Sequence, residues 1–131
     1  MGVVAFTVPI LSRISHNTAL MDLFLDMDRD FQLDQLLIAD RYKNGVLKLV
    51  QLHKERFGTQ DGCTRDSQNK LHYWWFTDSG CVVYVNNHHG IDFQVPASMT
   101  AEEAFDAWQR YRSQVVCLIG DEDGGDPDWV S

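Results

Sequence analysis

Two imidazoles side by side, His88 and His89, follow a thiol at Cys81, with His72 and Cys63 further upstream. Sulfur and imidazole nitrogen hold zinc in a tetrahedron, and Cys63, His72, Cys81 and His88 would supply the four ligands such a site takes. The spacing argues against it. No Cys-x-x-Cys and no pair of histidines one turn apart fixes two ligands together. A thiolate beside an imidazole is also a nucleophile with its base, the sulfur being Cys63 or Cys81. Neither thiol has a third residue to orient the imidazole or a helix start behind it to lower its pKa. His88 and His89 fall where a hairpin turn belongs, an ordinary place for exposed polar residues. Cys81 and Cys117 lie inside the apolar runs CVVYV and VVCLI, where thiols act as small core residues. Glycine-rich phosphate loops and a nucleophile elbow are absent from the sequence. We therefore expect no catalytic residues and no cofactor. A Cys/His-centred enzyme or zinc protein stands as the alternative.

The stretch DMDRDFQLD has oxygen-bearing side chains at alternate positions. A calcium loop of the EF-hand kind places ligands at positions 1, 3, 5 and 9, glycine at 6 and a bidentate glutamate at 12. Asp26, Asp28, Asp30 and Asp34 match the first four, and Leu33 sits at the usual hydrophobic eighth place. Phe31 stands where the glycine must be and Leu37 where the glutamate must be. Phenylalanine in a left-handed turn is strained, and leucine removes two oxygens from the cage. The stretch reads instead as an acidic helix end and linker with its carboxylates in water.

Charge is the most informative bulk property of these 131 residues, whose net is −8. Residues 22 to 34 hold five aspartates against Arg29, a local −4. Residues 121 to 131 hold Asp121, Glu122, Asp123, Asp126 and Asp128 with no base, a local −5. Residues 41 to 56 are basic, with Arg41, Lys43, Lys48, Lys54 and Arg56 against Glu55. Two acidic blocks repel a phosphate backbone, so direct nucleic-acid binding is disfavoured. A basic protein partner, or the basic segment of a second copy in a homodimer, is the natural complement.

Aromatic residues supply the apolar part of such a contact. In HYWWF, alternation sends Trp74 and Phe76 to one side of a strand and Tyr73 and Trp75 to the other. With helices on one face only, Tyr73 and Trp75 are expected on the open face as interface anchors. Trp129, in the acidic frame DPDWVS, is a further docking candidate. The expected partner-binding set is thus Asp26, Asp28, Asp30, Asp34, Tyr73, Trp75, Asp121, Glu122, Asp123 and Trp129.

The remaining composition bounds the class. A hydrophobic fraction of 44% is that of a globular chain, and no apolar run is long enough to span a bilayer. The opening MGVVAFTVPILSR has no basic residue ahead of its apolar stretch, so it is not read as a signal peptide. Phe6 stands where myristoylation needs serine or threonine. Three cysteines are an odd set for a disulfide framework, which points to a reducing, cytoplasmic setting. A small acidic binding or inhibitor protein is the expectation, of the kind that neutralises a basic toxin or a nucleic-acid enzyme.

The elements that would position these residues follow from periodicity. VVAFTVPIL reads as an edge strand, limited by Pro9. Leu20, Leu23, Phe24 and Met27 predict a helix over 17–28, and Leu33, Leu36, Leu37 and Tyr42 a short second one stopped by Asn44-Gly45. Val46, Leu49, Val50, His53 and Phe57 share the inner face of a third helix, ended by Gly58. Residues 58–70 read as a polar loop. HYWWF, CVVYV and IDFQV form a three-stranded antiparallel meander over about 71–95. Thr100-Ala-Glu-Glu103 is a capping box opening a helix through Ala104, Phe105, Trp108, Tyr111 and Arg112. VVCLIG predicts a last short strand. The whole is an α+β domain over 1–120, with a small, mainly antiparallel sheet and helices on one face, followed by a flexible acidic tail at 121–131.

Overall fold

A computed structural model describes residues 7–86 and 90–124, with side chains through residue 118. Strand β1 (Thr7–Pro9) leads directly into the short helix α1 (Ile10–Ile14). Pro9 has no N–H to continue a ladder, and Ile10 and Ile14, four apart, both turn into the core. Of the predicted N-terminal strand, residues 3–6 lie outside the described residues; at its other end it stops at Pro9, because the residues that follow have helical spacing.

Helix α2 (Thr18–Arg41) runs unbroken for 24 residues, so the two predicted helices are one. Asn17 caps it, its side-chain oxygen accepting the Leu20 N–H at 3.2 Å. Phe24, Phe31 and Ile38 are buried at seven-residue intervals and carry the apolar seam through the acidic middle. The Gln32 amide donates to Asp28 at 2.6 Å across one turn, adding local support where the linker was expected.

Helix α3 (Gly45–Phe57) folds back along α2. A Cβ at Gly45 would fall 2.7 Å from the Ala39 Cα. The glycine therefore permits a close backbone approach at the start of α3, where the sequence had suggested a stop for α2. Gly58 ends α3 at φ +85°, its N–H donating to the Lys54 carbonyl.

The predicted loop contains strand β2 (Gly62–Arg65), which pairs with β3 (Leu71–Phe76). Its polar sequence hides the strand, but Asp66 builds a tight turn by accepting the N–H groups of Gln68 and Lys70 at 2.9 and 3.0 Å. Strands β4 (Val82–Asn86) and β5 (Gly90–Pro96) complete the meander as expected. All pairings are antiparallel, in the order β1-β5-β4-β3-β2.

Helix α4 (Ala101–Gly124) opens on the predicted capping box: Glu103 N–H to Thr100 Oγ1 at 3.1 Å, Thr100 N–H to Glu103 Oε1 at 2.9 Å. It then continues straight through VVCLIG, which forms no strand. Ala104, Trp108, Tyr111 and Val115 repeat at helical spacing and are all buried, so packing of one stripe overrides the β-branched composition.

Among the described residues the architecture is α+β, with one five-stranded antiparallel sheet and four helices. The core lies between the helices and the sheet face bearing Trp75, Val83, Val85, Phe93 and Val95. No helix among the described residues is long and apolar enough to cross a membrane.

Candidate functional site

The sheet alternates as the sequence predicts, but its faces are exchanged. Trp75 is 1% exposed and donates its indole N–H to the Gly58 carbonyl at 2.9 Å, so it offers a partner no surface. Tyr73 shares that inner face, half-buried against the core with Lys54 over its ring. The outer aromatics are Trp74, Tyr84 and Phe76. The Trp74 and Tyr84 rings lie 5.7 Å apart, and Phe76 is 42% exposed. Burial and the neighbouring Asp92 carboxylate hold the Tyr84 hydroxyl above its ordinary pKa.

The thiols and imidazoles do not converge. Cys63 pairs in register with Tyr73, and His72 with Thr64, so Cys63 and His72 point to opposite faces of the sheet. His72 bonds Asp66 at 2.9 Å. Cys81 is fully buried at the far end of β3 and β4, beyond the Phe76–Val82 pair, and its thiol is 3.9 Å from the Met99 sulfur. Burial pushes that thiol pKa up, away from thiolate chemistry. His88 lies outside the described residues. Among the described residues, no three His, Cys, Asp or Glu side chains form a group able to hold a metal.

One imidazole is deeply placed. His53 Nδ1 is 2.7 Å from the Leu49 carbonyl, which can only accept, so Nδ1 carries the proton. Nε2 then accepts from the Tyr111 hydroxyl at 2.7 Å. Burial pulls the His53 pKa down to about 4 and raises that of Tyr111. The pair is closed off from solvent by Phe57 and Trp75, whose rings lie 5.9 and 5.3 Å from the imidazole. It satisfies two polar groups inside the core; a shallow cleft between the α3 end and α4 touches the Tyr111 side, and the imidazole itself is fully buried.

The acidic candidates lie on α2, in a helix and not in a loop. This excludes the calcium-loop geometry, because helical side chains fan out around an axis and cannot wrap one ion. Asp26 bonds Arg29 at 2.5 Å in full solvent exposure. Asp28 faces a groove, and burial raises its carboxyl above the usual range against the opposing pulls of Gln32 and Arg112. Asp121, Glu122 and Asp123 fall on the helical backbone at the end of α4. Trp129 lies outside the described residues.

What the sequence reading missed is the leucines between these aspartates. Among the described residues, eight large hydrophobics are exposed, and five of them are Leu23, Leu25, Leu33, Leu36 and Leu37 of α2. Leu33 and Leu36 are 52% and 59% exposed. They had been assigned inward, as the seam of a second helix. The signal was present: with Phe24, Phe31 and Ile38 taking the seam at seven-residue spacing, the leucines must point elsewhere. Beside α2 runs an open groove of about 900 Å³, bounded by Leu25, Asp28, Gln32 and Leu36 on one wall and by Gly90 to Phe93 of β5 on the other. Phe24, Phe31 and Trp108 reach its floor.

No protein-family model, curated protein or solved structure matches this chain.

Proposed function

We propose that this protein is an acidic binding protein that engages a basic macromolecular partner, a protein or a nucleic-acid-processing enzyme, through the α2 side of the molecule. The observation that carries this reading is the gathering of exposed leucines on one helix, interleaved with aspartates. Apolar surface concentrated in this way is costly in water and is characteristic of a surface that meets a partner. The helix bears six aspartates against Arg29 and Arg41, so its field selects cations. The sheet aromatics originally chosen as anchors are replaced here by the α2 leucines, because Trp75 is committed to the core. Cys63, Cys81 and Cys117 are free thiols, which suits action in a reducing compartment.

Capture from cell lysate at low salt, repeated through a salt titration, tests the reading. The expected result is a basic protein retained by the native chain, released as salt rises, and lost when Leu25, Leu33, Leu36 and Leu37 are together changed to glutamine. A retained protein indifferent to both changes would refute it.

A further inference from the structure

Beyond a basic partner in general, we infer that the groove between α2 and β5 seats a cationic amphipathic helix of that partner. This rests on the reading of α2 as the partner-facing side and adds the shape of what docks there.

The groove wall is a helical ridge. Leu25, Asp28, Gln32 and Leu36 succeed one another at intervals of three and four along α2. They span about 16 Å, three turns of helix, which is the length over which a second helix packs ridge into groove. Leu11, 47% exposed at the start of α1, closes one end as a third apolar contact. The floor of Phe24, Phe31 and Trp108 accepts apolar side chains, and the volume is that of several leucines.

Charge fixes the polarity of the occupant. Among the described residues the charged side chains lining the groove are Asp28 and Asp92, one on each wall; Arg112 of α4 acts on Asp28 from outside the lining and leaves Asp92 unopposed within it. A helix with an apolar stripe flanked by lysines or arginines places its cations against both carboxylates. A second copy of this chain is a poor occupant: its α2 would bring six aspartates against them, and its basic helix α3 already spends its apolar side, Leu49, Val50, Leu52 and His53, in its own core. An extended strand is also poorly served. β5 runs past the end of β1, but the Ile91 N–H that faces outward there is already accepted by Gln35 Oε1 at 3.3 Å. The side-chain ridge remains available, and little ladder does.

The test uses the full chain and a labelled synthetic peptide of about fifteen residues, built of leucine, alanine and lysine with leucines at helical spacing. A scrambled peptide of the same composition and an alternating lysine–valine peptide serve as comparators. The helical peptide is expected to bind at low salt, to outcompete both others, and to shift the backbone amide resonances of Ile91 and Phe93. Leu25→Gln with Leu36→Gln should weaken it about tenfold or more, while Leu47→Gln on α3, at a residue 51% exposed and outside the groove, should leave it within about twofold. Glutamine at these exposed helical positions should keep the fold, to be checked by circular dichroism. Equal binding of the scrambled peptide, preference for the alternating one, greater sensitivity at Leu47, or no peptide binding would each overturn the groove. A partner still captured from lysate in those cases would leave the broader reading standing, so the two fail separately.

Discussion

Helix α2 carries two apolar surfaces with opposite fates. Its inner side presents Phe24, Phe31 and Ile38, each buried, with Phe24 4.6 Å from the Trp108 ring and Phe31 edge-on to Tyr111 at 6.2 Å. Its outer side and groove-facing flank present five leucines that remain about half exposed. Both sets are hydrophobic and share one backbone. The inner set is spaced at seven residues, meets α4 and the sheet, and contributes stability. The outer set is only half covered and contributes less to the fold, chiefly through its helix propensity. Function is more legible in the second set, because selection for folding alone does not place leucines there.

Substitutions that treat the two sides alike should therefore give unlike results. The largest effect is expected at Phe31→Ala, which empties a site touching Tyr111 and should cost about 3–5 kcal/mol in denaturant unfolding. A value below about 1 kcal/mol would mean that the inner seam is not the one described.

Acid should strain the same inner layer. His53 titrates near 6.5 when unfolded and at about 4 when folded. The unfolded chain therefore takes up a proton below pH 6.5 that the folded chain refuses. The His53 contribution is fully present above pH 6.5 and is lost as pH drops toward 4, by about 3 kcal/mol in all. Unfolding free energies measured from pH 7 to 4 should show this slope, and His53→Gln should flatten it.

Smaller again is Gly45→Ala. The added methyl meets the Ala39 backbone and should cost about 1–3 kcal/mol, read as a shift in the unfolding midpoint. Smallest are Leu33→Gln and Leu37→Gln, each expected within about 0.5 kcal/mol of the native chain in the same measurement. A loss at Leu33 comparable to that at Phe31 would erase the distinction between the two sides.

Much of this layout was legible from the residues. The meander, the Thr100–Glu103 box, the inner face of α3 with His53, and helices on one side of a sheet all follow from local rules that the tertiary structure obeys. Two errors share one cause. Where a segment had strand-like or loop-like composition, as in VVCLIG or the β2 region, tertiary packing decided: the α4 stripe set against the other helices, or the pairing of Gly62 with Trp74. The candidate site was half legible. Asp26, Asp28, Asp30 and Asp34 stood out by charge, and they lie on α2, the helix on which the proposal rests. The leucines beside them did not, because leucine at helical spacing reads as core until a competing seam is recognised. Trp75 was misassigned because alternation gives the partition between faces without saying which face the helices cover.

The central claim is that the outer side of α2 is the contact surface, and the open sheet face supplies its internal control. Quantitative capture of the same partner should be compared for the native chain, the four-leucine α2 variant, and Phe76→Ser on the sheet. The account predicts binding lost with the α2 variant and unchanged with Phe76→Ser. Retention by the α2 variant, with loss at Phe76→Ser, would contradict it and move the contact to the aromatic face of the sheet.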